Sequence, residues 1–147
     1  MTHARQSIRE AAATLLTGLT TTGSRVHQSR LPYATLGDGE LPALLVTTED
    51  EQVTQATVHG RLERRLTLRV SGLAKAASNL DDTLDTIAAE VETALGASPT
   101  LSGKCTYHAL TGISVGLDDS LEKPVGRVDL DFEVLYFTNA GSPGTLA

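Results

Sequence analysis

Near one end of the chain, "GRVDLDFEVLYFT" (residues 126–138) alternates with a period of two. Val128, Leu130, Phe132, Val134 and Tyr136 share one parity; Asp129, Asp131 and Glu133 share the other. Successive side chains of a strand point to opposite faces, so this pattern predicts a strand with one face in a core and one outside it. The functional question is what the outer face meets. Three carboxylates in a row can ligate a metal, do acid–base chemistry, pair with a basic neighbour or simply be hydrated.

A second alternation, "RLERRLTLRVSGLA", predicts a partner strand. Leu62, Leu66, Leu68 and Val70 fall on one parity, and Arg61, Glu63, Arg65, Thr67 and Arg69 on the other. Arg64 interrupts the apolar row, which predicts that its end of the strand reaches water. The continuous apolar run 43–46 predicts a short strand covered on both faces. Further strands are expected around 25–27, 53–58 and 105–117, and His59–Gly60 reads as a turn. "LPYATLGDGELP", with two prolines and clustered turn residues, reads as a loop. For Ile113 to stand beside Val128 or Leu130, odd residues must pair with even ones. The connection "DDSLEKP" must then supply an even-numbered loop, such as six residues.

Two helices are expected. Over residues 5–17, Ile8, Ala12, Leu15 and Leu16 fall at helical spacing, and Gly18 stands at the stop position. Over 79–95, Leu80, Leu84, Ile87, Val91 and Leu95 form a stripe. Asn79 is placed as N-cap, and Asp81 and Asp82 stand where the helix dipole favours negative charge. Runs of strands between helices predict an α+β fold, a mostly antiparallel sheet with two main helices packed on one face. Residues 1–138 read as a single domain, and 139–147, "NAGSPGTLA", as a frayed, flexible tail.

A chain of 147 residues can bury a core without metal or disulfide help. Its one cysteine, Cys105, excludes an internal disulfide and reads as a small buried hydrophobe. A net charge of -6 with 3% aromatic residues argues against nucleic-acid binding, which needs basic stripes and stacking rings. The first residues lack the apolar core of a signal peptide, and no stretch approaches the ~18 apolar residues that span a bilayer. A cytosolic protein is expected.

No motif for chemistry emerges. A flat row of carboxylates about 6–7 Å apart does not converge on a cation as a looped site does. The four histidines lack zinc-ligand spacing. "LGDGELP" lacks the lysine and following helix of a phosphate loop, and no nucleophile elbow is present. The reading is a non-enzymatic domain with no cofactor and no metal. Its candidate residues are Arg61, Arg65, Arg69, Asp129, Asp131 and Glu133, as a charged contact within one sheet or across subunits. A plainly hydrated face is the alternative.

Five stretches, in order, carry a resemblance. They are "RQSIREAAATLLTGLTTTGSRVHQSR", "LPALLVTTEDE", "LERRLTLRVSGLAKA", "LDDTLDTIAAEVETAL" and "LTGISVGLDDSLEKPVGRVDLDFEVLYFT". Together they resemble the tail terminators of long-tailed bacteriophages, the group similar to the minor tail protein U of lambdoid phages, over about residues 5–138. The resemblance implies a virion structural protein in a homohexameric ring on the last ring of tail-tube protein, at the head-proximal end of the tail. Such a ring ends tube polymerisation and presents the joining surface for the head–tail connector or stopper protein. It assembles in the host cytoplasm, with no membrane partner, and DNA passes through its lumen without specific binding. The family supplies no catalytic residues to carry over. On this reading the acidic strand is a subunit contact or part of a lumen that repels phosphates. Three other readings fit the same residues: another head–tail connector (head-completion or stopper) subunit, a small α+β ligand-binding or enzyme domain with a pocket between helix 79–95 and the sheet, and a bacterial structural adaptor unrelated to phage.

Overall fold

Strand β5, Val125–Asn139, lies between two long neighbours, β3 (Arg61–Lys75) and β4 (Tyr107–Asp118), and pairs antiparallel with both. This is the centre of a computed structural model that describes residues 2–30, 36–118 and 124–147. Beyond β3 come β2 (Ala43–Gln55), antiparallel, and β1 (Val26–His27), parallel to β2. The order is β1-β2-β3-β5-β4, and β6 (Ser142–Leu146) pairs with the end of β5. Helices α1 (Ala4–Leu16) and α2 (Leu80–Gly96) pack on one face of this sheet. The chain is α+β with a mostly antiparallel sheet, as its patterning predicts.

The core follows from the pleat. Val128, Leu130, Phe132, Val134 and Tyr136 of β5 and Leu66, Leu68 and Val70 of β3 are buried beneath the helices. From α1 come Ile8, Ala12 and Leu16, and from α2 come Leu84, Ile87, Val91 and Leu95. Full burial of such a side chain contributes about 1.5–3 kcal/mol, so this layer supplies most of the fold's driving force. Helix α2 sits very close to the sheet at Gly72, where a Cβ would come within 2.6 Å of Ile87 Cγ2. Glycine is required there for the helix to seat. A second cluster, Leu41, Ala43, Leu45, Leu73 and Val125, covers one end of the opposite face. The run 43–46 is accordingly buried on both sides.

The helix starts differ in detail from expectation. Helix α1 begins at Ala4, capped by His3, whose Nδ1 accepts from the Arg5 amide at 3.0 Å. Asn79 occupies the cap position of α2, but its side chain makes no capping hydrogen bond. Asp81 and Asp82 in the first turn are left to complement the dipole.

Other differences come from bulges and turns. The expected strands at 43–46 and 53–58 are one strand, β2, with a register shift between Thr48 and Glu51. The extra residue switches the helix-facing parity from Leu44 and Val46 to Glu51 and Val53, which disguises one strand as two. A shift between Leu110 and Gly112 does the same in β4, moving Tyr107 and Ala109 to the other face from Ile113 and Val115. Beyond that bulge odd pairs with even, Ile113 with Leu130 and Val115 with Val128, and six positions separate Asp118 from Val125. Residues 119–123 of that connection and 31–35 of the loop before β2 lie outside the described residues. Cys105 is buried in the turn before β4 instead of on it, and burial pushes its thiol up to about 11. The segment predicted as a frayed tail turns back at Gly141 (φ 79) and forms β6, with the Ala147 amide donating to the Phe137 carbonyl at 2.9 Å.

Arg64 is largely withdrawn from water instead of reaching into it. Its side chain is 11% exposed and its Nη1 lies 3.0 Å from Oε2 of Glu51, whose side chain is 5% exposed. Arg64 Nε donates to Thr138 Oγ1 at 2.8 Å, and Arg5 of α1 approaches the same Glu51 oxygen at 3.3 Å. The Tyr136 hydroxyl donates to Glu51 Oε1, and burial raises the Tyr136 pKa well above its ordinary value. Glu51 therefore ties α1, β2, β3 and β5 together. Removing one partner of a buried pair strands the other charge, so Glu51→Gln should lower unfolding stability by about 3 kcal/mol. Glu63→Gln, on the hydrated face, should change it by less than about 0.5 kcal/mol. Urea unfolding of the two variants checks the contrast.

Candidate assembly surfaces

The odd-numbered face of β5 carries neither α1 nor α2. Across it, Arg69 of β3 stands directly opposite Asp131, and Nε–Oδ1 and Nη2–Oδ2 contacts of 2.8 and 3.2 Å make the pair bidentate. Arg65 reaches Glu133 diagonally at 2.7 Å and Glu63 of its own strand at 3.5 Å. Asp129 takes a different partner set: Ser71 Oγ donates to it at 2.6 Å and Arg127 Nε at 2.7 Å. Arg61 joins no carboxylate row; its guanidinium lies 4.4 Å from the ring centre of Phe137, a cation–π contact. Four of the six candidate residues thus meet in two intrachain pairs, Asp129 lies beside them, and Arg61 is displaced to the end of the strand.

Several members of this surface were not singled out by sequence. Glu49 of β2 extends the row, bonded to Arg30 at 3.0 Å and near Arg69 at 3.8 Å. The Arg30 hydrogen bond holds the Glu49 carboxyl below its usual range, against the opposing effect of partial burial. The β2 bulge hid Glu49, because its parity can be assigned only once the register shift is known. Ser71 and Arg127 had a readable signal, since each shares the parity of the charged rows. Leu135 is on this face yet buried, flanked by Arg65 on β3 and Tyr107 on β4.

Strand β4 presents the other notable surface. Past its bulge, Ile113, Val115 and Leu117 lie on the helix-bearing face, with Leu110 before it. They are nevertheless 38–55% exposed, because α2 covers β3 and β5 and stops short of β4. The imidazole of His108 meets the carbonyls of Leu95 and Ser98 at 3.0 and 3.1 Å, which anchors the end of α2 to the base of β4. Elsewhere, a depression on the outer side of α2 is lined by residues 18–20 with Thr86, Ala89, Glu90, Thr93 and Ala94. Glu90 is committed there, accepting from the Thr21 amide and hydroxyl at 2.9 and 2.5 Å.

No protein-family model matches the chain, and no curated protein does. Among solved structures, a chain from the virion of a native gene transfer agent particle is similar to it. The TM-score is 0.47 and the identity 19%, over 92% of this chain and 92% of that one.

The ion pairs are about one-third exposed, which places each in the range of about 0–1 kcal/mol. Reversing Arg69→Asp alone or Asp131→Arg alone should destabilise the fold by about 1 kcal/mol, and the double reversal should restore most of it. The coupling from this double-mutant cycle should shrink in 1 M salt, where the Debye length is about 3 Å.

Proposed function

We propose that this chain is a structural virion protein of a long-tailed phage or phage-like particle, a tail terminator. Copies of it form a ring, six by the family's pattern, on the end of the tail tube. There the ring ends tube growth and provides the joining surface for the head connector. The observation that carries this reading is the order of the five resembling stretches. They fall on α1 with β1, then β2, β3, α2 and the β4–β5 pair, which are the helices and the long strands of one sheet. The resemblance therefore spans the frame of the domain and not one local motif.

The surfaces agree with such a role. A subunit of a closed ring needs two different edges that fit each other, a heterologous contact that closes. This sheet ends in β1 and β2 on one side and in β4 on the other. The helix-free face carries Asp129, Asp131 and Glu133 in hydrogen-bonded, geometrically fixed positions. Turned toward neighbouring proteins, such a face gives register more than affinity. Turned toward the lumen, the charge of a chain at -6 would discourage phosphates from binding as DNA passes. The remaining role is mechanical, with no chemistry for a side chain to perform.

The test is tube growth. Tail-tube protein polymerised alone should give long tubes with bare ends, and adding the purified chain should arrest extension and place a distinct ring on one end, seen by negative-stain microscopy. Tubes that extend unchanged, with bare ends, would remove the terminator role. Arrest of tubes would also separate it from a head-completion subunit, which does not cap them.

A further inference from the structure

The two ends of the sheet differ in charge and in polarity. Helix α2 carries Asp81, Asp82, Asp85, Glu90 and Glu92 and no basic residue, a net charge of -5. Apart from Glu90 these acids are exposed and meet no basic side chain among the described residues. Beside α2 runs β4, whose twelve residues include no lysine, arginine or proline. Edge strands are ordinarily protected by such residues, by bulges that twist the edge away or by a covering element. The bulge in β4 instead places Leu110, Ile113, Val115 and Leu117 in one uncovered apolar row on the helix side.

The opposite end holds arginines, which α2 and β4 lack. Residues 2–30, which form α1 and β1, hold Arg5, Arg9, Arg25 and Arg30 against one acid, Glu10, and β2 beside them brings Glu49, Asp50 and Glu51, which balance that charge. Arg5 and Arg30 pair with Glu51 and Glu49 of β2. Arg25 bonds only the carbonyls of Pro42 and Thr21, and Arg9 has no ion pair among the described residues. The Nε of Arg9 and the Nε2 of His27 are buried without a hydrogen-bond partner among those residues. Arg9, Gln28, Ser29, Arg30, Thr47 and Thr48 line a shallow depression there. On β2 nearby, Val53 is 48% exposed and lies on the helix side, like the β4 row.

We infer that the α2–β4 edge of one copy docks against the α1–β1 edge of a second copy, the acids of α2 meeting the arginines while the apolar row of β4 is covered. Charge complementarity selects the occupant. A chain of net charge -6 repels itself unless unlike surfaces meet. The two edges lie at opposite ends of one sheet, so each copy keeps one of each free and the contact propagates head to tail. This inference rests on the ring reading above and names the surfaces that would make the ring.

Two variants of the full chain test it. The first, Ile113→Asp with Val115→Asp, spoils only the β4 edge; the second, Ser29→Glu with Arg30→Glu, spoils only the β1 edge. All four positions are exposed, and circular dichroism verifies folding. Sedimentation and native mass spectrometry should show that each variant alone loses self-association by roughly tenfold or more, the effect of about 1.4 kcal/mol at a contact. An equimolar mixture should give dimers and nothing larger, because only one intact pair of edges remains. Variants that assemble like the wild type, or a mixture that stays monomeric, would overturn the contact. Tube capping by the wild type is scored separately, so the terminator role can survive that result. A wild type that does not self-associate also overturns the contact, and one that in addition fails to cap tubes overturns both.

Discussion

The pleat of β5 is the constraint on which the structure depends. Flanked on both sides, β5 commits ten consecutive residues, 128–137, to alternate between two unlike environments. A slip of one residue would put Asp129, Asp131 and Glu133 under α2 and expose the apolar row. The two faces contribute unequally. Burial of several large apolar side chains outweighs partly exposed ion pairs worth about 1 kcal/mol or less each. The arginine–carboxylate pairs are better understood as marks of register. Arg69 opposite Asp131 is right in one alignment of β3 against β5 and wrong in the next.

The fold was legible wherever local pattern and tertiary environment carried the same information. Strands β3 and β5, the stripes of α1 and α2, and the odd-with-even pairing of β4 all come from periodicity alone. The pairing of Arg65 and Arg69 with carboxylates of β5 was legible as a possibility of charge, though not as a geometry. What escaped has a shared physical origin. A bulge inserts one residue and inverts parity downstream, which split β2 in two and, in β4, puts Tyr107 on the opposite face from Ile113. Burial of a charge depends on a partner distant in sequence. Arg64 looked solvated because Glu51, thirteen residues earlier, sits past a bulge. The C-terminal strand is short, contains proline and glycine, and exists through its pairing with β5. Nothing in its own pattern announces it.

The same asymmetries that complicate the sequence suit a subunit that assembles. Bulges bend strands and redirect side chains, and in β4 the bulge turns an apolar row out along an edge. The acids of α2 and the arginines near β1 belong to different edges of the subunit, so a chain with excess negative charge still holds the cationic side chains that the proposed contact would use. The core explains why such edges can be left open: α1, α2 and the Glu51 cluster stabilise the subunit without them.

The most direct measurement is a cryo-electron microscopy reconstruction of tail tubes incubated with the purified chain, at a resolution that traces strands in the terminal ring. The account predicts a closed ring of this chain, with α2 and β4 of each copy against α1 and β1 of the next. A terminal ring whose copies meet through other surfaces would contradict the proposed contact, and tube ends without this chain would contradict the function itself.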